Sequence, residues 1–488
     1  MTHRLKKRKV EKSGVKKLLY NHGRTVMHKD KKSTVYDLIP PQEMIQFMLK
    51  YSFFHKQVTQ IPESIILDKK IDFDIMKKAI NIEIERNDCM RLRFFKKKRK
   101  IKQYFIEKFE LEDIPLLSFS SEKEQVDTLT ADAQTPIRIF KDETFRIKFF
   151  NSFDGRYGIY ICVHHLVMDN AACFVFFNDV LAIYEHLTED KPMPKPLGKY
   201  EDHIKKELEY ISNPENLKKE EEAYTEYITE HGEPLYLGVE GPKFLEAERK
   251  KKKDPTIMAP SLFDPFHDKA EFTKKVIPYD DSQKAINFMN ENSVSGECLI
   301  QLAMRIFLSK INGGHLDTYF ITLCPRRRTL SEKRSGGTYA APLPWRLVLN
   351  RDTTFIEALD KLREIQAWTF RHMDYPYLEY RELQRKLFKY PAAAGASTMM
   401  FSWFPLEQNT MNNWDYEFVG YGIGRYVMVL YTFAMKDTKN GTLKITYQHR
   451  TKFISVDEIN RMQDGTEKVL RLGVENPSLT IGEILDRI

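Results

Sequence analysis

"YICVHHLVMDNAACF", residues 160–174, carries an apolar strand into two histidines and then into a helix. The run "YGIYICV" reads as a buried strand, joined to "FRIKFF" through the turn "NSFDGR", where Asp154-Gly155 supplies the turn chemistry. Beyond Asn170 the period changes. Cys173, Phe174, Phe177, Val180, Leu181, Tyr184 and Leu187 recur at helical spacing, and Asp169 or Asn170 is placed to cap the helix. The histidines therefore occupy a short strand-to-helix connection.

Several chemistries compete for that corner. Adjacent histidines in a loop do not easily face one ion, and HExxH is absent, so a metal site is not expected. No GxSxG elbow or Cys/His signature supports a covalent nucleophile. Two readings stay open: a structural histidine, and an imidazole at a strand end acting as a general base. The ordinary imidazole pKa of ~6.5 leaves the base form dominant near neutrality.

Outward from the corner, the chain mixes helices and strands in both halves, which predicts an α+β protein with two lobes of similar size. "PPQEMIQFMLKYS" (40–52) and "DFDIMKKAINIEIERND" (72–88) read as amphipathic helices, the second burying Ile75, Ala79, Ile82 and Ile84. "FFKKKRKIKQYF" (94–105) reads as a hairpin with a charged tip. The proline- and charge-rich "TEDKPMPKPLGKY" (188–200) and the polar helical stretch after it form the expected linker, residues 191–235. It divides an N-terminal lobe, 36–190, from a C-terminal lobe, 236–488.

Of 488 residues, 42% are hydrophobic and 30% charged, a balance suited to large cores and a solvated surface. No apolar run reaches the length of a membrane span, and the N-terminus lacks the apolar segment of a secretory signal. The five cysteines are scattered and never spaced as CxxC, which points to a reducing compartment and hence the cytoplasm. The net charge of +8 is concentrated in residues 1–35, a basic tail expected to be disordered. Knots at Lys96–Lys100 and Arg249–Lys253 read as solvated loop tips. No nucleic-acid motif accompanies them, so no nucleic-acid partner is expected.

"HHLVMDN" resembles the His-His-x-x-x-Asp-Gly motif of the condensation domains of nonribosomal peptide synthetases, members of the chloramphenicol acetyltransferase-like superfamily. Other segments resemble that family in its own order. They are "YDLIPPQEMIQFMLKYS", "LDKKIDFDIMKKAINIEIERNDCMRLRF", "PRRRTLSEKRSGGTYAAPLPWRL", "TFIEALDKLREIQAWTFRHMDYPY" and the closing "YQHRTKFISVDEINRMQDGTEKVLRLGVENPSLTIGEI". The resemblance spans about residues 36–488.

It implies two chloramphenicol acetyltransferase-like lobes arranged as a V around a central tunnel. His165 corresponds to the catalytic residue, as base or orienting group for the acceptor. His164 and Asp169 correspond to structural positions, and Asp169 is expected to pair with an arginine of the second lobe. Arg327 aligns best for that pairing, with Arg326 and Arg328 as neighbours. The donor would be a phosphopantetheine thioester on an acyl or peptidyl carrier protein, or a coenzyme A thioester, with no bound cofactor and no metal. The acceptor would be an amine, giving an amide, or an alcohol, giving an ester. A catalytically idle carrier-binding homologue is the third option. No adenylation or carrier segment is evident, so a free-standing member is expected; a monomer is expected as well.

The chain departs from the family pattern at Asn170, which stands where the motif has glycine, and at Ala341-Pro342, which replace an Asn-Thr pair. A glycine there permits positive φ, which asparagine tolerates better than most residues. Asn170, together with Ser402 and Trp403 beyond a strand in "MMFSWFP", is the candidate for substrate contact.

Overall fold

The computed structural model describes residues 34–488 apart from 142–143, 263, 392–393, 405–409 and 412–413. The basic stretch 1–33 lies outside the described residues.

The apolar runs and turn signals around 145–164 fold as expected, into the antiparallel strands Phe145–Asn151 and Tyr157–His164. They lie in a six-stranded sheet ordered Thr410–Met411, Trp414–Gly420, Gln60–Leu67, Tyr157–His164, Phe145–Asn151 and Leu116–Ser118. A second six-stranded sheet is ordered Ala341–Val348, Asp317–Cys324, Met400–Phe404, Leu430–Asp437, Thr442–Arg450 and Ala270–Val276. A three-stranded sheet contains the hairpin Leu92–Lys97/Lys100–Phe105, whose lysine-rich tip includes Lys98 at φ 58°.

The sheets are not segregated along the chain. Trp414–Gly420 belongs by sequence to the second half but hydrogen bonds antiparallel to Gln60–Leu67, with Phe418 opposite Ile65. The pairing is sealed by Phe418 against Phe174, with ring centroids 4.7 Å apart. The stretch 200–229, expected as the helical part of the linker, forms the helices Tyr200–Ser212 and Pro214–Thr229. Asp88 accepts from the backbone N–H groups of Tyr200 and Glu201, at 2.9 and 3.0 Å, and so fixes the start of the first of them to the first half.

The helix Asn170–Thr188 buries more than the single face its spacing predicts. Phe176 and Ile183 are buried too, because the helix lies between the first sheet and the helix Phe73–Arg86. In the latter, Met76 and Ile80 are buried, whereas Ile75 and Ile82 are only half-buried, a rotation of the apolar stripe toward that neighbour. The basic knot at 249–253 is not a loop tip. Arg249–Lys252 form the last turn of the helix Lys243–Lys252, where cations meet the negative end of the helix dipole.

Where these two buried helices meet, Glu83 faces Asp179, and Arg86 binds Asp179 at 2.9 Å. Burial first, and Asp179 next, push the Glu83 carboxyl well above its usual value. A carboxyl whose folded-state pKa is raised stabilises the fold in its protonated form. That contribution is complete below the unfolded pKa and is lost as pH rises through the folded one. Glu83→Gln gives Asp179 a permanent donor. Its melting temperature is expected to exceed wild type at about pH 9 and to converge with it at about pH 5. Melts at the two pH values check this, and a variant less stable than wild type in alkali contradicts it.

Candidate active site

The strand Tyr157–His164 ends where Gln60 pairs with His164, so His165 is the first residue off the sheet. His164 is buried, at 1% exposure. Its Nδ1 accepts from the backbone N–H of Leu166 at 3.2 Å, which leaves Nε2 as the protonated nitrogen, 3.1 Å from Thr59 Oγ1. Burial, and then His165, lower the His164 pKa to about 3, so this ring is neutral and fully engaged in holding the turn.

His165 is half-buried. Its main chain is clamped from both halves of the protein. The N–H donates to the Thr59 carbonyl at 2.8 Å, and the carbonyl accepts from Thr338 Oγ1 at 2.5 Å. Gln42, in the first long helix, donates to the Leu166 carbonyl at 2.9 Å. On the imidazole, Nδ1 is buried without a hydrogen bond of normal geometry. Burial holds the His165 pKa below its usual value, opposed by Asp169 and by the carbonyls of His165 and Met168. A ring in this setting is neutral near pH 7 and able to take a proton.

Asp169 caps the following helix through Ala172 N–H at 2.8 Å. The same oxygen accepts from Arg327 Nη2 at 2.9 Å, and the other from the N–H groups of Tyr339 and Ala340 at 2.9 and 3.1 Å. Burial alone would raise the Asp169 carboxyl, but Arg327 and these donors hold it below the usual carboxylate range. Arg327 also donates to the carbonyls of Glu332 and Ser335, at 2.7 and 2.5 Å, and its guanidinium lies 4.2 Å from the Tyr339 ring centroid. Its neighbours go elsewhere. Arg326, at φ 51°, pairs with Glu207 and Asp374, and Arg328 pairs with Asp374. Gly337, at φ +92°, lets the second half approach this closely, since a Cβ there would lie 2.1 Å from the Tyr200 ring.

Asn170 does not use a left-handed backbone. It is the first residue of the helix, with φ outside the positive range, so the glycine-like freedom expected there is not needed. Its Nδ2 instead donates to Oε1 of Glu63, a residue that sequence reasoning missed. Ser402 and Trp403 lie within the strand Met400–Phe404, not beyond it, and strand alternation sends them to opposite faces. Ser402 Oγ is 2.9 Å from Tyr431 Oη, whereas Trp403 covers Gly296, leaving no room for a Cβ on that glycine. Among the described residues no cluster of His, Cys, Asp and Glu is arranged to hold a metal ion.

Two six-stranded sheets, the first completed by a strand from the second half of the chain, and a histidine turn pinned by both halves define the α+β class of this protein. The condensation-domain family profile matches residues 32–485, and the chain belongs to that family. It is similar to surfactin synthase subunit 1 of Bacillus subtilis (strain 168), 21% identical over 92% of this chain. It is equally similar to gramicidin S synthase 2 of Aneurinibacillus migulanus, 21% identical over 93%. The chain spans 12% and 10% of the length of those two relatives. Its fold matches the first condensation domain of the calcium-dependent antibiotic synthetase, with a TM-score of 0.75 at 14% identity, covering 93% of this chain and 99% of that one. A double mutant of the starter condensation domain of rhizomide synthetase RzmA, in complex with C8-CoA, matches with a TM-score of 0.73 at 14% identity, covering 92% and 96%. The expected fold class is thus borne out, and the chain is a condensation domain of the nonribosomal-peptide-synthetase type. No described helix is long and apolar enough to cross a membrane.

Proposed function

We propose that this protein transfers an acyl or aminoacyl group from a carrier-protein thioester to an amine, forming an amide. The observation that carries the reading is His165. Its backbone is fixed from both halves of the molecule, while its imidazole is held neutral and without a strong partner. The amine nitrogen attacks the thioester carbonyl, the new C–N bond forms, and the C–S bond breaks. His165 orients the amine and takes its proton, which then passes to the departing thiolate. His164, Asp169 and Arg327 act through the shape of the turn and not on the reacting atoms.

A second reading takes a coenzyme A donor and is favoured by one finding: a structurally similar starter condensation domain was solved with C8-CoA. With either donor the acceptor is an amine or an alcohol. Intact-mass analysis of acyl-loaded carrier protein, incubated with amine and alcohol panels, separates the two. Loss of the acyl mass from the carrier only in the presence of amines supports amide formation.

Asn170→Gly is expected to keep the fold, because the backbone there is already helical and the helix cap belongs to Asp169. It is also expected to change relative rates across the acceptor panel by about threefold or more, the scale of one lost hydrogen bond. An unchanged acceptor profile would make Asn170 neutral for specificity.

A further inference from the structure

Glu63 lies in the strand Gln60–Leu67, between Ile161 on one neighbouring strand and Gly420 on the other. It is 5% exposed. Buried carboxylates are ordinarily matched by a cation. Here one oxygen accepts from Asn170 Nδ2, and the other is buried without a hydrogen bond of normal geometry, with the Cys173 thiol beside the carboxyl. Among the described residues no lysine or arginine forms an ion pair with it, and the nearby formal charge that acts on it is the like charge of Asp169. Burial pushes the Glu63 carboxyl up to about 8, against the opposing hydrogen bonds of Asn170 and Cys173.

The second sheet closes the other side. Tyr431 lies within the electrostatic reach of Glu63, and its hydroxyl pairs with Ser402. Asn170 and Tyr431 are both half-buried and so border accessible space next to a carboxyl that is not. The result is a buried carboxyl, protonated near neutral pH, with one oxygen lacking a partner of normal geometry. Tyr431 of the second sheet lies on one side, and Asn170, the first residue of the helix that follows the histidine turn, on the other. What its ionised form lacks is a positive charge with N–H donors.

We propose that Glu63 and Asn170 recognise a primary ammonium group that the acceptor carries in addition to its reacting nitrogen, so that the acceptor class is a diamine or diamino acid. This rests on the amine-acceptor reading above. An ammonium at this position donates to the second Glu63 oxygen and favours the ionised carboxylate, and a neutral alkyl group in its place does neither.

The test is calorimetric titration of the full chain with cadaverine and with n-pentylamine, which differ by one amino group. Wild type is expected to bind cadaverine about tenfold or more tightly than n-pentylamine, and Glu63→Gln to bind the two equally. Equal binding by wild type, or a preference that survives in Glu63→Gln, overturns the proposal and leaves Glu63 as a support for Asn170 only. If Glu63→Gln does not fold, Asn170→Ala removes the amide that orients the carboxyl. It is then expected to lower the preference by about threefold, and an unchanged preference overturns the proposal. Binding is read without turnover. A protein that keeps the Glu63-dependent preference but forms no amide would refute the reaction assigned to His165 and leave the recognition site standing.

Discussion

His165→Ala is expected to lower acyl transfer by about 10²–10⁴-fold, the usual contribution of a positioned acid–base group, while the protein melts at the wild-type temperature. The fold should tolerate the change because the ring contributes no strong hydrogen bond, and the main-chain clamps from Thr59 and Thr338 remain. Comparing His165→Ala with His164→Ala separates chemistry from support. His164 is hydrogen bonded at both ring nitrogens, so its loss is expected to lower the melting temperature. The pH profile offers a second check. Burial lowers the His165 pKa, so protonation should shut off the base at a pH below the ordinary imidazole value, placing the acidic limb of kcat/KM there. Full turnover by His165→Ala contradicts its role in catalysis.

Arg327→Ala carries the largest expected cost in stability, about 3–5 kcal/mol, because it leaves a buried carboxylate without its cation. The two side chains are 5% and 3% exposed, which sets the pair apart from the surface ion pairs of this protein. Surface pairs are worth about 0–1 kcal/mol. The variant also removes the Arg327 donors to the carbonyls of Glu332 and Ser335. Activity should fall with stability, since the segment that Arg327 supports carries Thr338, the clamp on the His165 carbonyl. The sign with pH follows from Asp169, whose carboxyl is held below its usual value. The stability it contributes is present above the unfolded carboxylate pKa and is lost as pH falls through the folded one. The gap between wild type and Arg327→Ala in denaturant melts should therefore be widest near neutrality and narrow in acid. An Arg327→Ala variant that melts like wild type removes the buried pair from the account.

What can be read from the sequence follows contact range. The strand into His164, the cap at Asp169 and the helix after it are local, and their periods and turn residues are visible in one window. Arg327 is 158 residues from Asp169, and only family order points to it. Glu63 leaves no such trace. Its partner Asn170 is 107 residues away, and a lone glutamate in an apolar strand looks like any other polar interruption. The same limit hides the insertion of Trp414–Gly420 into the first sheet, because strand periodicity says which residues share a face but not which strand lies alongside. Asn170 misleads for a different reason. A glycine position in a motif suggests unusual φ, yet here it is the first helical residue, where the advantage of glycine is its missing side chain.

The most direct test of the central claim is intact-mass analysis of one acyl-loaded carrier protein, incubated with an amine and either wild type or His165→Ala. The account predicts amide product and loss of the acyl mass from the carrier with wild type, and near-background amounts with the variant. Equal product from both proteins, or none from wild type with any loaded carrier and any amine tested, would contradict it.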